Sequence, residues 1–139
     1  MTMKLNPGFW NKMKQLDNMV EQGIENQLQR FADAAIDNTL GNNDRRRPAV
    51  DTGAYITSFS ITYGRGRPRG KSSRGKQRKN PDILGLSEVG RANLYNDIGK
   101  LDLLNTERVT LRNNSPHAVF VEYKHAYYIF AKLEREFNG

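Results

Sequence analysis

Thr106-Glu-Arg-Val-Thr-Leu-Arg112 decides the fold class: its polar residues alternate with Val109 and Leu111, which puts both apolar side chains on one face of an extended chain. This pattern predicts a strand. Ser60-Ile-Thr-Tyr63 reads the same way, and the two stretches are expected to pair antiparallel around Ile61. Between them lies Arg65-Gly-Arg-Pro-Arg-Gly-Lys-Ser-Ser-Arg-Gly-Lys-Gln-Arg-Lys79, with eight positive charges, no acid and no large apolar side chain. It cannot build a core. Residues 65–80 are therefore expected to form a flexible basic loop inserted in a small antiparallel sheet.

The loop also explains the charge balance. Residues 1–64 carry seven Lys/Arg and seven Asp/Glu, and residues 80–139 carry seven and eight, so nearly all of the formal net charge of +7 belongs to the loop. A near-neutral body with one basic arm suggests an arm that meets a polyanion, with Arg65, Arg67, Arg69, Lys71, Arg74, Lys76, Arg78 and Lys79 facing a phosphate backbone. Glycine and serine between the cations leave no fixed geometry for reading bases, so binding would be blind to sequence. The alternatives are a solvated loop and a loop docked on an acidic protein.

Upstream, Pro7 suits the first turn of a helix with Asn6 as its cap, and apolar residues follow at Phe9, Met13, Leu16, Val20, Ile24, Leu28, Phe31 and Ala35. The spacing predicts one long helix over about residues 8–40, stopped at Gly41. At 1.5 Å per residue it would be roughly 50 Å long, more than a domain of this size can cover. The stripe Phe9, Met13, Leu16, Val20 and Ile24 is therefore expected to lie against a second copy of the chain.

Arg45-Arg-Arg-Pro48 reads as an exposed linker. After it, Asp51 or Thr52 is expected to cap a short helix carrying Tyr55, Ile56 and Phe59. A second helix is expected to open at Ser87-Glu-Val-Gly90 with Leu94, Ile98 and Leu101 on its apolar side and Leu104 near its end. Asn113-Asn114 reads as a turn, Pro116 as the start of a short helix through Phe120 to Tyr123, and Ala126 to Phe137 as a closing helix with Ile129, Phe130, Leu133 and Phe137 inward. The expected class is α+β: a long N-terminal helix, a small sheet and two to three shorter helices. At 139 residues and 37% hydrophobic content, residues 1–139 are expected to form a single domain.

Candidate chemistry is sparse. Asp51-Thr52-Gly53-Ala54 matches the tetrapeptide of aspartic proteases, but those enzymes need an apolar strand before the aspartate, and Arg45 to Pro48 stand there instead. Capping is the better reading of Asp51. His117 and His125 lack the i, i+4 spacing of a helical metal pair, and Trp10, Tyr123, Tyr127 and Tyr128 sit apart from the basic charges, so packing suits them better than base stacking. No enzymatic activity, cofactor or metal is expected. There is no cysteine, no apolar core of signal-peptide length near Met1, and no stretch of about 20 apolar residues to span a bilayer, so no membrane partner is expected either.

Two longer stretches carry a family resemblance. Pro48-Ala-Val-Asp-Thr-Gly-Ala-Tyr-Ile-Thr-Ser58 pairs a proline and Asp51-Thr52-Gly53 with a short amphipathic segment ending in serine, and Val109-Thr-Leu-Arg-Asn-Asn-Ser-Pro-His-Ala-Val-Phe-Val-Glu-Tyr123 runs from a strand through Asn113, Asn114 and Pro116 to Glu122 and Tyr123. In this order they resemble the neck and tail-completion (head-tail joining) family of long-tailed bacteriophages, which is similar to the minor tail protein Z family of phage lambda. The family usually has a glycine after its Glu-Tyr, where this chain has Lys124-His125-Ala126.

The resemblance implies a structural virion protein at the head-tail junction, assembled in the host cytoplasm. It would form a homo-oligomeric ring of six or twelve copies, bounded by connector or adaptor proteins and tail proteins, with double-stranded genome DNA passing through. The alternative from composition alone is a non-sequence-specific nucleic-acid-binding accessory protein working as a monomer or dimer.

Overall fold

In the computed structural model the described residues are 1–9, 20–41, 54–63, 82–103, 108–115, 118, 122–123 and 128–138. In chain order they give β1 (Thr2–Lys4), α1 (Val20–Leu40), β2 (Phe59–Tyr63), α2 (Ile83–Gly99), β3 (Val109–Asn113) and α3 (Ile129–Asn138). The class is α+β.

The three strands form one antiparallel sheet in the order β1-β3-β2. Leu111 sits at its centre, opposite Ile61 on one side and Met3 on the other. The expected pairing of the two internal strands is therefore present. β3 is displaced from the expected 106–112 to 109–113, and Thr106 lies outside the described residues. β1 was not anticipated: three residues give too short an alternation to stand out, although Met3 and the following Leu5 are both buried.

Alternation turns Met3, Phe59, Ile61, Val109 and Leu111 to one side, and all are buried. The helices complete that core. α1 contributes Ile24, Leu28, Phe31, Ala32, Ala35 and Ile36, α2 contributes Leu86, Leu94 and Ile98, and α3 contributes Ile129, Phe130 and Leu133. Phe31 meets Phe137 edge-on with centroids 5.1 Å apart, and Phe59 touches both Tyr55 at 5.2 Å and Phe130 at 6.1 Å, which ties the start of β2 to α3.

Of the expected long N-terminal helix, the described residues show helical positions 7–9 and, separately, α1 from Val20. The first turn begins as expected, with the Phe9 N–H donating to Asn6 Oδ1 at 3.2 Å. α1 ends where expected, and beyond it Gly41 takes a φ of 76° and donates its N–H to Asn38 O. That left-handed position suits glycine, which has no Cβ to clash there. Residues 10–19 lie outside the described residues.

The expected short helix over Tyr55, Ile56 and Phe59 is not formed. Residues 54–57 make a turn and Phe59 opens β2. Neighbours in space capture the carbonyls that a helix would have used: Asn113 Nδ2 donates to Tyr55 O at 2.8 Å, and the Asn114 N–H donates to Ser58 O. The second helix opens at Ile83 rather than Ser87, because Asp82 caps it by accepting the Gly85 N–H at 3.0 Å. It stops at Gly99, so Leu101 packs from beyond its end, and Leu104 is outside the described residues. The closing helix begins at Ile129, not Ala126; Tyr128 before it has a φ of 50°, a left-handed conformation that a helix cannot run through.

Candidate functional site

The eight cations Arg65, Arg67, Arg69, Lys71, Arg74, Lys76, Arg78 and Lys79 lie outside the described residues, but both of their attachment points are described. The chain leaves the sheet at Tyr63, the exposed last residue of β2, and returns at Asp82, the cap of α2. Three residues on one face of α2 hold these two attachments together. A Cβ at Gly90 would lie 2.4 Å from Ile56 O and 3.0 Å from Ile36 Cδ1, so only glycine permits this approach. Further along, Asn93 Nδ2 donates to Thr57 O at 3.5 Å, and Asp97 Oδ2 accepts the Ile61 N–H at 3.0 Å. Asp97 thus engages the outer edge of β2, which otherwise would be open to pairing with another chain, and Asn93 engages the turn that leads into that strand.

The other edge is engaged from the C-terminus. Asn138 Nδ2 donates to Lys4 O at 2.9 Å while its Oδ1 accepts the Asn6 N–H at 3.1 Å. The first and last described elements are joined there.

Of the family-motif residues, Asp51, Thr52, Gly53 and Pro116 lie outside the described residues, while Asn113, Asn114, Glu122 and Tyr123 are placed. Asn113 stays in β3 opposite Phe59 rather than in a turn, and its side chain makes the turn instead: Nδ2 reaches back to Tyr55 O and Oδ1 accepts the Ser115 N–H at 2.9 Å. Glu122 is 1% exposed, and its carboxylate accepts the N–H groups of Phe130 at 2.6 Å and Ala131 at 3.1 Å. It caps α3 from eight residues upstream, satisfying amide groups that a helix start leaves unpaired. Burial pushes its carboxyl pKa up, and the amides of Ala131, Phe130 and Ile129, with the Lys132 charge, oppose that rise. The neighbouring Tyr55 is buried with its hydroxyl unpartnered, and burial, reinforced by the Glu122 charge, pushes its pKa up as well. Tyr123, by contrast, is 60% exposed. The placed buried motif residues are structural fasteners.

The expected oligomer stripe divides. Ile24 is 1% exposed within its own chain and Phe9 packs half-buried on the same core, so Ile24 is corrected from an interface residue to a core residue. Four residues on, Leu28 lies deeper still, and the helix there is covered by its own domain. Met13 and Leu16 lie outside the described residues, and Val20 is described only as the first residue of α1. Among the described residues the most exposed aliphatic side chain is Leu84 on α2, at 77%, with Val89 on the same helix.

One polar group invites a catalytic interpretation. Tyr95 donates its hydroxyl to both oxygens of Asp33 at 2.8 and 3.0 Å, and Arg91 Nε lies 3.0 Å from Asp33 Oδ1. Burial, and then the hydrogen bond to Asp33, raise the tyrosine pKa. That shift favours the protonated phenol as a donor, and the trio ties α1 to α2 as a seam. The sequence holds Asp33 and Tyr95 62 positions apart, and no local spacing signals their meeting. Among the described residues no group of three or more His, Cys, Asp or Glu is placed to hold a metal, and no helix is long and apolar enough to cross a membrane.

Comparisons of this chain with protein-family models, with curated proteins and with solved structures find no match.

Proposed function

We propose that the chain is a structural virion protein of a phage head-tail connector, a subunit of a neck or tail-completion ring through which genome DNA passes. The observation that carries this reading is the concentration of eight cations in residues 65–79 of an otherwise near-neutral chain, between an edge strand and a helix cap that α2 braces. Such an arm meets a phosphate backbone by charge alone while the body keeps its own packing. The fastener roles of Asn113 and Glu122 agree with a motif that maintains a shape instead of performing chemistry.

In this reading the partners are further copies of the chain in a ring of six or twelve, the adaptor and tail proteins on either side, and duplex DNA in the channel; the site of action is the head-tail junction. With Ile24 in the core, the subunit contact is assigned to Met13, Leu16 and Val20 with Phe9 at its margin. Negative-stain imaging and mass photometry of the purified chain test this. A closed ring is expected, with Leu16→Asp yielding folded single subunits. A wild-type chain that stays monomeric at micromolar concentration contradicts it. The second reading, a sequence-blind nucleic-acid-binding accessory protein, is favoured by the same eight cations; salt-sensitive duplex binding without any ring would select it.

A further inference from the structure

The three helices differ in what they show to solvent. Among the described residues, the exposed positions of α1 are Glu21, Gln22, Asn26 and Arg30, and those of α3 are Ala131, Glu134, Arg135 and Glu136. On α2 they are Leu84, Glu88, Val89, Ala92, Asn96 and Gly99, of which only one is charged. At 3.6 residues per turn these six lie on one side of the helix, opposite the Leu86, Gly90 and Leu94 face in the core, with Ala92 at the centre of that side. The other charges of α2 point elsewhere: Arg91 pairs with Asp33 and Asp37 on α1, and Asp97 accepts the Ile61 N–H on β2. A helix that is apolar toward the core and nearly uncharged toward water is suited to being covered on both sides.

Position and charge identify what covers it. A ring closes through head-to-tail contacts, in which each copy offers two different patches. One patch, assigned above to Met13, Leu16 and Val20 with Phe9 at its margin, starts just after β1, where Asn6 is bonded to Asn138 at the end of α3. β1 is one edge strand of the sheet, and α2 lies along β2, the other edge, through Gly90 and Asp97. The start of the first patch and the outer side of α2 therefore belong to opposite edges of one sheet, the placement that a head-to-tail contact uses. The charges match as well. Residues 9–20 carry Lys12 and Lys14 against Asp17, while the outer side of α2 carries Glu88. Lys12 stands three residues after Phe9 and four before Leu16, the spacing that sets it beside both on the helix expected there.

We propose that the outer side of α2, centred on Ala92 and bordered by Leu84, Glu88 and Val89, receives residues 9–20 of a second copy of the chain, with Glu88 facing Lys12. The proposal rests on the connector reading, which requires a ring, and it names the second half of the subunit contact. Ala92 carries only a methyl group at the centre of this side, which leaves room there for a longer apolar side chain such as Leu16.

The test is sedimentation velocity with the full chain. Wild type is expected as a ring. Ala92→Arg puts a bulky cation on an exposed position that meets Lys12 and Lys14, and is expected as single subunits with an unchanged melting temperature. Leu16→Asp fails at the other patch. Each variant keeps the patch that the other lacks, so an equimolar mixture of A92R and L16D is expected to give one-to-one dimers that neither forms alone. Glu88→Lys is expected to weaken assembly by about 2–5-fold, and K12E/E88K to restore it. If Ala92→Arg melts earlier than wild type, Leu84→Arg, at the most exposed aliphatic position, replaces it. Rings formed by Ala92→Arg as readily as by wild type, or a mixture that stays monomeric, overturn the α2 contact and leave the connector reading standing. A wild-type chain without rings overturns both.

Discussion

The two sides of the sheet come from alternate residues of the same strands, yet Phe59, Ile61, Val109 and Leu111 lie in the core while Thr2, Lys4 and Arg108 face solvent. The first side is closed by three helices, and its residues answer to packing. The second carries hydroxyls and cations. A period of two therefore sorts apolar from polar residues within the same short strands, and since Ser60 and Thr110 in the middle of the second side are 1% exposed, solvent reaches that side at Thr2, Lys4 and Arg108.

The strongest way to break that comparison is Phe59→Ala against Lys4→Gln. Phe59 is fully buried between Tyr55 and Phe130, so its truncation is expected to cost about 3–5 kcal/mol in chemical denaturation, whereas the exposed Lys4→Gln change stays within about 0.5 kcal/mol. Similar costs at the two positions contradict the division.

Next in size is a pair of glycines in one helix. Gly90→Ala puts a methyl group 2.4 Å from Ile56 O, a backbone atom that cannot step aside cheaply, and is expected to lose about 1–3 kcal/mol. Gly99 has nothing within 4 Å of the added carbon, so Gly99→Ala is expected to gain up to about 1 kcal/mol from helix propensity. Thermal melts of both variants, moving in opposite directions, would sharpen the account of how α2 seats on β2.

Asp97→Ala removes the acceptor for the Ile61 N–H and is expected to cost about 1–2 kcal/mol, with faster hydrogen exchange at that amide. Unchanged exchange at Ile61 would mean that Asp97 does not hold the β2 edge.

The smallest effect is Tyr55→Phe, which deletes a buried hydroxyl without a partner and is expected to be neutral or stabilising by up to about 1 kcal/mol at pH 7. The pH dependence follows from the raised pKa. A folded value above the unfolded one, about 10, gives a contribution that is fully present below pH 10 and is lost as pH rises further, because only the unfolded chain then releases the proton. Tyr55→Phe should flatten that alkaline loss. Glu122 has the same sign in the acid range: its raised pKa makes its contribution fall as pH climbs above about 4.3, and Glu122→Gln should remove that slope.

These elements also mark how far the chain could be read directly. The β2–β3 pairing was legible because alternation is a local signal, and so were the Asn6 cap and the Gly41 stop. β1 was not, since three residues carry too little pattern. Glu122 reaches a helix start eight residues away, and Asn93 and Asp97 at i, i+4 look like a solvated helix face until β2 is beside them. The apolar stripe from Ile24 through Leu28 and Phe31 to Ala35 was correctly periodic, but periodicity does not say whether a residue's own domain or a neighbour covers it. Of the candidate site, the basic residues were legible as charge alone, while the braces at Gly90, Asn93 and Asp97 needed the fold.

The most direct test of the central claim, that residues 65–79 carry the polyanion contact and the body carries the fold, is duplex binding by a variant with all eight cations replaced by Gln. For wild type, full engagement gives a slope of log K against log salt near about −7. The account predicts that the variant loses most of that slope and affinity while melting at an unchanged temperature. A variant that keeps wild-type affinity and slope would contradict it.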